Sequence, residues 1–221
     1  MNQQTKKIST LGMLSALAII SVLLIRIPLI PAAPFLTYDP KDVVIVIGGL
    51  LFGPLAALLM SIVVAFVEMI TVSDTGPIGM LMNVIASATF SCSAAIIYRR
   101  MRSLKGAVIG LLVGVILTTV VMLLWNFLIV PLYMEIPRHV IAGWLLPIFA
   151  PFNLLKGGLN AAFAMVLYKP IKRAVNTARI LQDTKDEPQK AKTNIGVIIG
   201  AAFVILTCIL VVWVLSSMNA A

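Results

Sequence analysis

The chain has 221 residues, 61% of them apolar, and a mean hydropathy of +1.07, which leaves too little polar surface to wrap a soluble core and no room for a sizeable soluble domain. A formal net charge of +9 would suit nucleic acid, but 13 of the 17 basic residues (Lys6, Lys7, Arg99, Arg100, Arg102, Lys105 and those from Lys169 to Lys192) fall on one side of alternating spans. That is the positive-inside pattern of an integral membrane protein, with some attraction to anionic lipid, and it leaves no excess charge for a nucleic acid to explain.

Helix 1 is expected from Ser9 to Ile27, with Lys6 and Lys7 holding the N-terminus in the cytoplasm. The run lacks a small-residue cleavage pattern and ends in Arg26, Pro28 and Pro31, so it reads as a retained helix rather than a removed signal. Gly12 and Ala16 stand one turn apart and make a face on which a helix can approach closely, either from the same chain or from a partner.

Phe35 to Pro54, FLTYDPKDVVIVIGGLLFGP, then brings two aromatics and several charges against the start of a membrane segment. Pro40 fixes its own φ and biases Asp39 away from helix, so a shaped loop leads into helix 2, Asp42 to Leu51, which is short for a span and weakened by Gly48 and Gly49. The loop suits a lid over a pocket; the plainer alternative is an outer loop with a helix N-cap at Asp42. Phe52, Gly53 and Pro54 turn the chain into helix 3, Leu55 to Ile70, with Glu68 near its outer end.

Asp74 to Pro77 make the next turn, and helix 4 follows from Pro77 to Tyr98. Gly79, Asn83, Ser87 and Ser91 recur every four residues, a small and polar stripe that either packs helix on helix or lines a cavity. Helix 5, Gly106 to Leu132, carries Thr119, Asn126 and Tyr133 at seven-residue spacing, with Trp125 adjoining. Trp125 and Tyr133 suit an interfacial anchor, whereas a buried Asn126 suits a ligand. His139, in the following loop, is given no role.

Helix 6, Gly143 to Tyr168, places Asn153, Lys156 and Asn160 at i, i+3 and i+7 on one face. A lysine well inside a span costs roughly 2.5 to 3.5 kcal/mol even on the lenient insertion scale, so Lys156 should face a cavity or a partner. Beyond it lie a charged linker over 174–194 and a seventh span, Ile195 to Leu215, with Gly196 and Gly200 in a GxxxG arrangement. Cys92 and Cys208 fall inside spans and support neither a disulfide framework nor a metal site, and no carboxylate cluster supports metal transport.

Beneath Leu36, Thr37 and Tyr38, then, the outer halves of helices 4, 5 and 6 contribute Asn83, Asn126, Asn153 and Lys156. Neutral amides, one cation and aromatic or apolar walls suit a planar heterocycle bearing hydroxyls better than an inorganic ion. A membrane enzyme would need paired histidines or carboxylates, or a serine with a base, inside the spans, and the sequence offers no catalytic set of that kind.

Five successive motifs, FLTYDPKDV, GGLLFGP, TGPIGMLMN, WNFLIVPLY and NLLKGGLN, resemble in order and spacing those of the riboflavin-specific substrate-binding subunits, the S-components, of energy-coupling factor vitamin transporters. The resemblance covers Ile8 to Arg173 and implies an all-α membrane bundle of six helices, to which this sequence adds a seventh. A substrate-binding membrane domain over 1–173 would thus be followed by a linker over 174–194 and an extra helix over 195–221.

Carried over by position, Leu36, Thr37, Asn126, Asn153 and Lys156 would touch riboflavin, and Tyr38, Asp42, Asn83 and Trp125 join the candidate site. The resemblance further implies a multi-pass protein of the bacterial cell membrane that hydrolyses no ATP itself and carries no cofactor, riboflavin being the transported ligand. It would associate with a transmembrane coupling subunit and two ATPase subunits, meeting the former through Gly12 and Ala16, where the family usually has two alanines. An S-component for another vitamin, or a stand-alone facilitator, would keep the same cage and change the ligand.

Overall fold

The computed structural model describes residues 3–30, 33, 35–73 and 75–177; the linker beyond residue 177 and the expected seventh span lie outside the described residues. The chain forms α1 (Gln3–Leu24), a short ladder of β1 (Ile27–Pro28) with β2 (Thr37–Tyr38), α2 (Lys41–Phe52), α3 (Pro54–Thr71), α4 (Gly76–Met101) and α5 (Leu104–Met134). A last helical path comprises α6 (Arg138–Trp144), a π-helical turn (Leu145–Phe149) and α7 (Ala150–Thr177). With α6 and α7 taken as one path, the expected six-helix bundle is present.

Boundaries differ from the expectations for local reasons. The first helix begins at Gln3, where its opening turns are polar and exposed, and it stops at Leu24 rather than Ile27. Ile27 precedes Pro28, which disfavours helix, and the two residues pair antiparallel with Tyr38 and Thr37 instead. The sixth path starts at Arg138 instead of Gly143 and runs on past Tyr168 to Thr177. Pro147 and Pro151 lack the amide hydrogens a regular α-turn would use, and the backbone widens locally, so that Ala150 N donates to the Leu145 carbonyl five residues back.

Five helices are long and apolar enough to cross a membrane: α1, α3, α4, α5 and the α6–α7 path. The remaining helix, α2, is the axis around which they pack. At 12 residues it spans only ~18 Å, short of a ~30 Å hydrocarbon layer, but every residue from Lys41 to Leu50 is buried. One side of it, Val43, Val46, Ile47 and Leu50, packs with Phe90 and Ala94 of α4, Leu111 and Val115 of α5, and Ala161 and Met165 of α7. The other side, Val44 and Ile45, packs with Leu14 and Ala18 of α1 and Ala57, Met60 and Val64 of α3. Exposed leucines and isoleucines such as Leu17, Leu59, Ile116 and Leu124 cover the outside, as a lipid-facing surface requires.

Gly48 and Gly49, expected to weaken α2, instead permit its contacts. A methyl at Gly48 would stand 2.5 Å from the Met60 sulfur, and one at Gly49 2.9 Å from the Ala57 Cβ and 3.4 Å from the Ala95 Cβ. The α4–α5 pair is closer still: a methyl at Gly110 would lie 2.7 Å from the Ala94 carbonyl oxygen and one at Gly114 2.8 Å from that of Phe90. Small residues let backbones meet in this way where lipid supplies no hydrophobic drive between helices.

The alternating helices gather the α1 start, the Gly53 turn, Arg99 to Lys105 and the α7 end at one end of the bundle, with the Arg99 guanidinium beside Gly53. The segment 25–40 and the turns after α3 and α5 occupy the opposite, loop end.

Candidate ligand-binding cavity

The loop between α1 and α2 is folded back on itself. Besides the β1–β2 ladder, Leu29 N donates to the Leu36 carbonyl at 3.4 Å and Leu36 N to the Ala33 carbonyl at 2.9 Å. Ile30 and Ala33 are buried against Phe152, so the loop is seated on the start of α7.

Under this cover lies a cavity of about 620 Å³, open on one side and within the size range of small-molecule sites. Leu36 lines it from the loop and Asp42 from the first turn of α2. Met82, Asn83, Ala86 and Phe90 come from α4, Thr118, Met122 and Asn126 from α5, and Phe152, Asn153, Lys156, Gly157 and Asn160 from α7. Of the nine residues expected to contact ligand, Leu36, Asp42, Asn83, Asn126, Asn153 and Lys156 are thus brought together on one wall system.

Thr37, Tyr38 and Trp125 are not among the lining residues. Thr37 is half-buried and paired with Pro28 in the ladder. Tyr38 is buried, its hydroxyl without a hydrogen-bond partner among the described residues. Burial, with the charges of Asp39 and Asp42, pushes that phenol above its ordinary range. Trp125 is half-buried and its Nε1 is likewise buried and unpartnered. On a helix it points ~100° away from Asn126, so the two cannot serve the same cavity equally.

The stripe on α4 divides its work. Asn83 faces the cavity, Ser87 donates to Asp42 Oδ1, and Ser91 presents its backbone to α2 near Gly49. On α7, Asn153 donates to the Phe149 carbonyl at 2.8 Å across the π turn, and Asn160 Nδ2 reaches Asp42 Oδ2 at 3.4 Å.

An ionic chain links the loop to the cavity, and the sequence reading had left it unassembled. Lys156 Nζ lies 2.7 Å from Asp39 Oδ2; Asp39 Oδ1 lies 3.8 Å from Lys41 Nζ; and Lys41 donates to Glu68 of α3. Lys41 is 2% exposed and Glu68 7%, so neither end of that pair has water to fall back on. Burial alone would raise the Asp39 carboxyl, but the ammonium groups of Lys156 and Lys41 outweigh it and hold it at about 2. Asp42 has no ion-pair partner among the described residues and relies on Ser87 and Asn160. In the three-dimensional arrangement, the lone intramembrane lysine of the sequence is one of two, both answered by carboxylates. Among the described residues, no group of three His, Cys, Asp or Glu is arranged to hold a metal ion.

Comparisons with known proteins agree with this architecture. The family model described as ECF transporter, substrate-specific component, matches residues 6–168. The riboflavin transporter RibU of Staphylococcus aureus (strain TCH60) is 33% identical over 174 residues, covering 76% of this chain and 90% of that protein. The riboflavin transporter FmnP of Bacillus subtilis (strain 168) is 28% identical over 181 residues, covering 75% and 92%. A solved structure of the S component of a bacterial ECF transporter superposes with a TM-score of 0.66 at 30% identity, covering 78% of this chain and 98% of that one. The likeness extends over the bundle and its cavity alike, and the chain belongs to the family of substrate-specific components of ECF transporters, multi-pass proteins of the bacterial membrane.

Proposed function

We propose that this chain binds riboflavin in the cavity beneath the α1–α2 loop and carries it across the membrane as the S-component of an ATP-driven vitamin transporter. The observation that carries the reading is a pair of amides left open to ligand: Asn83 and Asn126 line the cavity, and among the described residues neither has a hydrogen-bond partner in the protein. Such groups, held between apolar walls from Leu36, Met82, Met122 and Phe152, suit a flat ring with carbonyls along its edge. Two relatives named as riboflavin transporters support the choice of vitamin.

Lys156, 19% exposed and anchored by Asp39, keeps ammonium protons for a ring carbonyl, with Asn153 beside it. Leu36 covers the ring, and Thr37 and Tyr38 act through the ladder that holds it in place. The basic end of the bundle faces the cytoplasm with the N-terminus, so the vitamin enters at the loop end from outside. Gly12 and Ala16 are exposed, with open space beside Gly12, and form the contact for the transmembrane coupling subunit, which in turn engages two ATPase subunits. Residues 1–173 are the substrate-binding domain, with the charged linker and seventh span appended.

Titration of the purified, ligand-free protein with riboflavin should quench flavin fluorescence and saturate at about one flavin per chain. Asn126→Ala should weaken binding by about 1 to 3 kcal/mol, the range for a lost buried hydrogen bond, or roughly 10- to 100-fold. Folded wild-type protein that leaves flavin fluorescence untouched would refute the assignment.

A further inference from the structure

We infer that the inner end of the cavity, formed by Asp42, Asn160 and Thr118, is a hydroxyl-reading subsite that takes the polyol chain of the ligand, leaving the ring to the amides nearer the loop. The inference rests on the riboflavin reading above and adds an orientation to it.

Depth in the cavity follows from the helix contacts. Gly157 packs on Val115 and Gly114 on Phe90, which sets the registers of α7 and α4 against α5. Asn160 lies almost one turn farther from the loop end than Gly157, and its bond to Asp42 places both at the floor. Thr118 stands almost one turn nearer the loop end than Val115, and Asn126 a further two turns toward it.

The floor is short of hydrogens. Asn160 is 1% exposed, and its Oδ1 has no partner among the described residues; nor has Thr118 Oγ1. Turning the Asn160 amide over would set its oxygen against the Asp42 carboxylate, so the unpartnered oxygen is fixed by its neighbour. Asp42 itself is 5% exposed and has no cation paired with it. Buried oxygens left in this state incur a penalty unless a ligand brings donors to them.

Riboflavin carries two kinds of polar surface. Its ring edge alternates carbonyl, N–H and carbonyl, and would present two oxygens to a floor of oxygens. Its ribityl chain carries several hydroxyls, each able to donate. The ring therefore fits the upper cavity, where Asn83, Asn126 and Lys156 can donate, and the chain fits the floor.

The test uses two flavins that share the ring: riboflavin, and lumiflavin, in which a methyl replaces the ribityl chain. Each is titrated by fluorescence quenching against the wild type, Asp42→Asn and Asn160→Ala. The expected result is riboflavin binding weakened about 10-fold or more in both variants and lumiflavin binding changed by less than about 3-fold, which also certifies that the variants are folded. If Asp42→Asn does not fold, Asn160→Ala reads the same floor. Equal losses for the two flavins, or no loss for either, overturn the inference. Wild-type protein that binds neither flavin overturns the riboflavin reading itself, a result separable from those by the wild-type titration alone.

Discussion

Lys41 is a residue whose two faces of charge must both be answered. It sits at the start of α2 in an interior position, held by Glu68 and flanked by Asp39. Removing one member of a buried pair leaves a charge with neither water nor partner and typically costs about 3 to 5 kcal/mol, whereas replacing both by apolar groups is often neutral or stabilising. Lys41→Met should therefore lower the thermal midpoint in detergent sharply, and Lys41→Met with Glu68→Leu should recover much of the loss. A double variant no more stable than the single one would show that the pair does not act as a unit. The partners were not legible in the sequence, because 27 residues separate Lys41 from Glu68 and 117 separate Asp39 from Lys156. Local periodicity names faces, not cross-chain partners. The face of Asn153, Lys156 and Asn160 was legible, since a lone lysine between two amides in an apolar run has a helical period and a cost attached to it. Trp125 and Tyr38 were drawn into the candidate site by adjacency in sequence, which a 100° step or a strand alternation undoes.

Among the helices, the α4–α5 contact is set by glycines that face carbonyl oxygens, and the outer face of α1 by glycine and alanine that face nothing in the chain. The two kinds of small residue look alike in sequence and should behave in opposite ways. Gly114→Leu inserts a side chain against the Phe90 backbone, 2.8 Å from where its Cβ would be, and should destabilise the bundle by about 1 to 3 kcal/mol or more. Gly12→Leu meets open space, so riboflavin binding and thermal stability should stay near wild type while ATP-driven uptake in cells with the coupling subunits is lost. Unimpaired uptake by Gly12→Leu would move the coupling contact elsewhere. The helices themselves were visible as apolar runs, but their ends were set by features a hydropathy pattern does not contain: the Ile27–Pro28 pairing, and the π turn around Pro147.

For the whole molecule, the two cores on either side of α2 close without any residue beyond 177. The domain that binds ligand should then be self-sufficient, and a chain truncated after Lys185 should insert and bind riboflavin with wild-type affinity. Loss of binding in a correctly inserted truncation would make the C-terminal segment part of the site. Fold class and family were readable because five motifs keep their order and spacing along the chain; the cavity floor was not, because Asp42, Thr118 and Asn160 meet only once three helices are packed.

The buried α2 also constrains how the protein is made. A 12-residue helix that opens with Lys41 and Asp42 has neither the length nor the neutrality to be released alone from the insertion machinery into lipid. Its nearest counter-charge, Glu68, lies at the far end of α3, across the Gly53–Pro54 turn. Insertion of α2 must therefore wait for synthesis of α3, and the two enter the bilayer together as a hairpin whose charges are already matched.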